Sequence, residues 1–166
     1  YSGWTTSNYL SRASDADWDV VGTGTICWHT WFKASANAAH EFMASFQDGS
    51  GVVFAIRLNN TGTVTGRDDG ATAECDGTST QTFDDSVWHK LDFVRVSSVE
   101  RYLYVDGNLV ARSTADAGSL SNSGNLPLTI GLSGGAEPFT NGTMALTHLS
   151  ATAPSAAQIR QMYDAE

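Results

Sequence analysis

Short runs in which apolar and polar residues alternate recur along this chain of 166 residues, and no other feature constrains its fold as strongly. Successive side chains of an extended strand point to opposite faces, so residues two apart share an environment. In Thr25 to Lys33, Ile26, Trp28 and Phe32 fall on one face and Cys27, His29 and Trp31 on the other, which predicts a strand at least partly covered on both sides. In Val52 to Leu58, Val52, Phe54, Ile56 and Leu58 read as the core face, with Val53, Ala55 and Arg57 opposite. Leu91 and Phe93 take the core face in Trp88 to Val96, as Leu103 and Val105 do in Arg101 to Val105. Further strand signals at 8–12, 40–46, 63–65, 71–75, 109–112, 128–132 and 143–150 complete the cadence of an antiparallel sandwich. Burying side chains of this size contributes about 1.5 to 3 kcal/mol each, which makes a two-layer core attainable.

The connections agree with this reading. Asp106-Gly107 lies between Tyr102 to Val105 and Asn108 to Ala111, and supplies the positive φ values that a two-residue type I′ hairpin turn requires. Gln47 to Gly51 and Asn59 to Gly62 read as further hairpins, while 68–85 and 115–125 are long polar stretches of the kind that carries function. One helix is predicted, at the end. Ser155-Ala156-Ala157-Gln158 has capping-box spacing, and Ile159, Met162 and Tyr163 form an apolar stripe that would dock on a sheet edge or corner.

Composition excludes several functions. The 18 acids outweigh 9 bases for a net charge of −9, and Lys occurs only at 33 and 90, so a nucleic-acid backbone would be repelled. No apolar run approaches the roughly 18 to 20 residues that span a bilayer, so membrane insertion is not expected. One domain covering 1–166 is expected, and its start on Tyr1 rather than Met is expected to reflect a segment of a longer polypeptide or processing. Cys27 and Cys75 leave two readings open: a bridge, or a buried strand thiol and a second thiol in a loop.

The second half resembles the concanavalin A-like lectin/glucanase superfamily, and within it the laminin G-like, pentraxin-like modules. Trp88 to Val94 is similar to that family's Trp-His strand, Leu103 to Gly107 to its Tyr-Val-Asp-Gly hairpin, and Pro127 to Gly131 to its Ile-Gly strand. Phe139 to Gly142 resembles its Phe-x-Gly turn, Ser155 to Tyr163 its closing helix, and, less tightly, Tyr9 to Ser11 and Thr25 to Lys33 its opening strands. The resemblance implies an all-β fold, a jelly roll of two antiparallel sheets with a short C-terminal helix, that holds ligands at rim loops or on a sheet face. It also implies an extracellular or virion-surface setting. Modules that the chain resembles occur in bacteriophage virion or tail proteins, and the bias to Ala, Gly, Ser and Thr points towards a phage or bacterial setting.

Three chemistries follow for the site. Calcium, which many relatives hold in acidic rim loops, would use Asp48 and Asp69, chosen from Asp48, Asp68, Asp69, Asp76, Asp84 and Asp85. The same acids serve turns and solubility on the plainer reading, and Met144-Ala145 stands where relatives often place a ligating acid. Carbohydrate binding would use Trp4 and Trp18, aromatics outside the core alternation, the alternative being that each plugs an end of the sandwich. Glycoside hydrolysis needs two carboxyl groups about 5 to 9 Å apart, but Glu41, Glu74, Glu100, Glu137 and Glu166 are scattered, so no enzyme activity is expected. The four histidines show no ligand spacing, and His89 reads as structural. The expectation is a non-catalytic recognition or assembly module that binds a glycan or a partner protein, able to form homo-oligomers through its parent assembly. Its rival is a purely structural domain that decorates or cements an assembly.

Overall fold

The computed structural model describes residues 1–13, 24–48, 51–68, 73–76, 81–115, 127–133 and 137–166, and for 47, 48, 51–53 and 73–76 the backbone alone. Among these residues eleven strands and one helix form an all-β sandwich of two antiparallel sheets. The strands are β1 (Leu10–Arg12), β2 (Ile26–Ala34), β3 (Glu41–Asp48), β4 (Gly51–Leu58), β5 (Val64–Asp68) and β6 (Ala73–Asp76). They continue with β7 (Trp88–Ser97), β8 (Glu100–Val105), β9 (Asn108–Ser113), β10 (Leu128–Ile130) and β11 (Gly142–Ser150), before α1 (Ala156–Ala165). One sheet runs β1-β10-β3-β4-β5-β6 and the other β11-β2-β7-β8-β9. Each strand coincides with one of the alternating segments.

Where side chains are described, the core faces read from the alternation are the buried ones. Ile26, Trp28 and Phe32 pack between the sheets with Phe54, Ile56, Leu58, Leu91, Phe93 and Leu103 in one buried cluster. The layers approach closely where Phe54 stacks on Phe93 at 4.8 Å between ring centroids. A Cβ on Gly66 would lie 2.4 Å from the Phe93 ring, so this β5 position admits no side chain. Asp106 and Gly107 join β8 to β9 with φ of 52° and 71°, as the type I′ turn demands.

The capping box forms as expected, with the Ser155 hydroxyl accepting from the Gln158 amide and the Gln158 side chain accepting from the Ser155 amide. The docking position of α1 differs from the expected edge or corner. Cys27, Val94 and Tyr104 make a second apolar patch on the outer face of the five-stranded sheet, and Ile159 closes over it, itself fully buried. A patch of that kind is costly to leave wet, and the helix stripe is its cover. Cys27 is a free buried thiol rather than half of a bridge, and Cys75 lies on β6 rather than in a loop. Burial pushes the Cys27 thiol far above its ordinary pKa, with the Asp92 charge adding, so it is an inert part of this patch.

Polar groups tie the layers at one end. Asp68 of β5 accepts from Arg95 Nε at 2.7 Å and from Arg101 Nη1 at 3.0 Å, and all three side chains are essentially buried. Arg101 also donates to the Ser98 carbonyl at 2.8 Å and to Ser113 Oγ at 3.1 Å.

Candidate ligand-binding site

The residues nominated from sequence take unequal places. The N-terminal segment runs beside β11: the Met144 amide donates to the Tyr1 carbonyl at 2.9 Å, and the Tyr1 ammonium donates to the Met144 carbonyl at 2.7 Å. This turns Trp4 into the sandwich, where it is 3% exposed and belongs to the main core. Its indole packs on the backbone of Gly131, whose φ is 85° and where a Cβ would sit 2.1 Å from Trp4 Cε3. The ring therefore has no free face for a sugar. It plugs one end of the core instead. Trp18 and Asp69 lie outside the described residues, and Asp48 ends β3 with only its backbone described.

Two other calcium candidates, Asp68 and Asp85, do structural work. Asp68 holds the two arginines. Asp85 accepts from the Val87 amide at 2.9 Å and lies 3.1 Å from His89 Nε2. The Val87 amide is the leading reason that the Asp85 carboxyl sits below its ordinary pKa. Among the described residues no three His, Cys, Asp or Glu side chains gather closely enough to hold a metal ion.

An open, polar cleft of about 420 Å³ lies at the rim where β2 and β11 meet the turn before β7. Lys33, Ser86, Thr140, Asn141 and Thr143 supply its polar walls. Glu41 builds it from beneath. This carboxylate, on a residue 3% exposed, accepts from Thr140 Oγ1 at 2.8 Å, from Asn141 Nδ2 at 2.6 Å and from the Asn141 amide at 3.2 Å, fixing the turn of the Phe-x-Gly motif. That turn is tight because a Cβ on Gly142 would come within 2.1 Å of Phe139 Cζ. On the facing side the Ser86 amide donates to the Ala34 carbonyl at 2.8 Å, with Ser86 at a φ of 65°, a costly conformation for a residue with a side chain.

Beside this cleft stands an aromatic that sequence reasoning did not nominate. Trp88 pairs with Lys33 in the β2–β7 ladder and is 41% exposed. The signal was present: with Leu91 and Phe93 facing the core, alternation places Trp88 on the opposite face. Membership of the Trp-His strand hid it, because that motif reads as structural. His89, its neighbour, is indeed structural. His89 Nδ1 lies 2.7 Å from Asp106 Oδ2, and the ring packs against Phe32 and Phe83.

The committed carboxylates bear on catalysis. Glu41 is spent on the 140–141 turn, Asp68 on Arg95 and Arg101, Asp92 on His29 and Asp106 on His89. Among the described residues, these buried or half-buried acids are each hydrogen-bonded in the scaffold, whereas a glycosidase needs a pair flanking an open bond site. His29 and His148 do meet, stacked at 5.7 Å between ring centroids, across a register shift in β11 between Ala145 and His148. No spacing in the sequence could have located that contact.

A laminin G-like family model, that of the concanavalin A-like lectin/glucanases superfamily, matches residues 5–160. No curated protein matches the chain. Among solved structures, the binding domain of botulinum neurotoxin DC in complex with rat synaptotagmin II aligns with a TM-score of 0.69 at 8% identity, over 95% of this chain and 40% of that one. A native heptameric SAP-like pentraxin from Limulus polyphemus aligns at 0.63 and 8% identity, over 84% and 70% of the two chains. A Trypanosoma rangeli sialidase aligns at 0.64 and 14% identity, over 85% of this chain and 23% of its own. The chain thus spans about a quarter of the sialidase and two fifths of the neurotoxin domain. At such identities the likeness is one of fold.

Proposed function

Because the chain belongs to the concanavalin A-like lectin/glucanases superfamily, we propose that it is a non-catalytic recognition module holding a glycan at its rim cleft, on an extracellular or virion surface. One observation carries this reading: hydroxyl and amide groups line a cleft of about 420 Å³, and Lys33 of that lining pairs in the β2–β7 ladder with the half-exposed Trp88. Sugars offer both an apolar ring face, which stacks on an aromatic, and hydroxyls, which exchange hydrogen bonds with groups such as Ser86, Thr140 and Asn141. The volume lies within the range of small-ligand sites. Lys33 adds one cation to an otherwise acidic chain.

A protein partner is the second reading. It is favoured by the neurotoxin binding domain, which shares this architecture and is seen in complex with synaptotagmin II. A glycan array tests the first against a purely structural domain. Reproducible sugar binding by the native chain, lost in Trp88→Ala and weakened in Lys33→Ala, supports the glycan reading. Silence on the array together with tight self-association would sink it in favour of a structural, cementing domain.

A further inference from the structure

A second concavity, of about 390 Å³, lies between α1 and the outer face of the five-stranded sheet. Its floor holds Lys90, which is 1% exposed. A buried ammonium is costly unless it has a counter-charge, and here that charge is Glu166, whose Oε2 lies 3.2 Å from Lys90 Nζ. Beyond this ion pair, Nζ has no aligned hydrogen-bond acceptor among the described residues. The same Glu166 oxygen accepts from Trp31 Nε1 at 2.6 Å. An ammonium and an indole N–H thus converge on one carboxylate oxygen. Burial works to raise the Glu166 carboxyl, yet the Trp31 indole N–H and the Lys90 charge together hold it below its ordinary pKa.

The surroundings exceed what one glutamate uses. His29 is 9% exposed, its Nδ1 is engaged by Asp92, and its ring stacks on His148 at the cleft wall. Ser150 and Thr152, whose hydroxyl oxygens lie 3.1 Å apart, belong to the lining. At the mouth Leu146 is 72% exposed with a φ of 50°, a strained backbone position at the register shift of β11. Glu166 is itself only a partial occupant, its side chain being 40% exposed.

We propose that this cleft is a second ligand site, for a small hydroxylated carboxylate such as a uronic acid, whose carboxylate replaces that of Glu166 on Lys90 and Trp31. The ammonium and the indole N–H take the charge, and the hydroxyls of Ser150 and Thr152 take ligand hydroxyls. Glu166 acts as an internal competitor. The site shares no lining residue with the rim cleft and does not depend on glycan binding there.

The test is a titration of the whole ¹⁵N-labelled chain with D-glucuronate, and with D-glucose as the uncharged control, following the Trp31 indole N–H resonance. Glucuronate moves that resonance to saturation and glucose does not. Glu166→Gln tightens glucuronate binding by about twofold to fivefold, because a partly exposed ion pair competes only modestly. By calorimetry, Lys90→Met weakens it roughly tenfold or more, the effect of losing a charged hydrogen-bond donor. Trp31→Phe weakens it while keeping a ring against Tyr163, which stacks on Trp31 at 6.0 Å between centroids. This second variant serves if Lys90→Met does not fold. Trp88→Ala leaves the titration unchanged. A Trp31 resonance unmoved by glucuronate in both the native chain and Glu166→Gln, or an equal response to glucose, overturns the proposal. So does undiminished affinity in Trp31→Phe.

Discussion

Replacing Asp68 by Ala removes the carboxylate that Arg95 and Arg101 share between the sheets. Its side chain is fully buried, and Arg95 Nε and Arg101 Nη1 reach the same oxygen at 2.7 and 3.0 Å. Burial pushes the Asp68 carboxyl above its ordinary pKa even against these two guanidiniums. The desolvation of buried charges offsets much of their mutual attraction, while removing one partner leaves the others uncompensated. Breaking such a buried pair from one side costs about 3 to 5 kcal/mol. At roughly 2 to 4 °C per kcal/mol for a chain of this size, Asp68→Ala lowers Tm by about 6 to 20 °C. Thermal and urea unfolding followed by circular dichroism at neutral pH measures the loss. Arg101→Ala in the same background costs less than it does alone, because the partners are coupled by about 0.5 to 3 kcal/mol. A fall below about 2 °C for Asp68→Ala, or strict additivity with Arg101→Ala, would refute the argument that this cluster is desolvated.

Other outcomes follow from the same structure. Trp4→Ala destabilises by about 3 to 5 kcal/mol, as deletion of a buried aromatic does, measured as a shift in urea midpoint; a change within about 0.5 kcal/mol would mean that the indole is on the surface. Glu41→Gln destabilises by about 1.5 to 3 kcal/mol through its hydrogen bonds to Thr140 and Asn141, and a glucan hydrolysis assay that detected activity lost with this variant would overturn its structural role. The Asp106 carboxylate raises the His89 pKa, against the pull of burial and with help from Asp85. A folded pKa above the unfolded value makes this contribution complete below about pH 6.5 and lost as pH rises through the folded value. Urea midpoints at pH 6 and pH 9 therefore differ more in the native chain than in His89→Gln; an identical pH response in both would exclude the effect. Trp88→Ala leaves stability within about 0.5 kcal/mol, since the ring is half exposed, and a large loss of Tm would make Trp88 a packing residue.

The sheets were legible because strand faces repeat every two residues, a period that local sequence carries whole. Every alternating segment from 8–12 to 143–150 coincides with a strand, and the Asp106-Gly107 turn and the Ser155 capping box have the expected geometry. The site was far less legible, because it depends on which segments meet. Trp4 looked available for a sugar since its neighbours are polar, but backbone pairing of Tyr1 with Met144, remote in sequence, turns it inward. Glu41 read as one of five scattered glutamates with no role of its own, and only the fold brings Thr140 and Asn141 onto it. His29 and His148 share a wall through a register irregularity that no spacing rule encodes. Trp88 is the exception, since its outward direction followed from the same alternation that located Leu91 and Phe93.

Recognition without turnover can be tested on the molecule the protein retains. The native chain, at stoichiometric excess, is equilibrated with the strongest oligosaccharide from the array, separated from free sugar, and the bound fraction is released and weighed by mass spectrometry. The account predicts that the oligosaccharide is retained by the native chain, absent from Trp88→Ala, and recovered at its original mass. Recovery of shortened fragments would show that the chain cleaves what it binds and contradict the account.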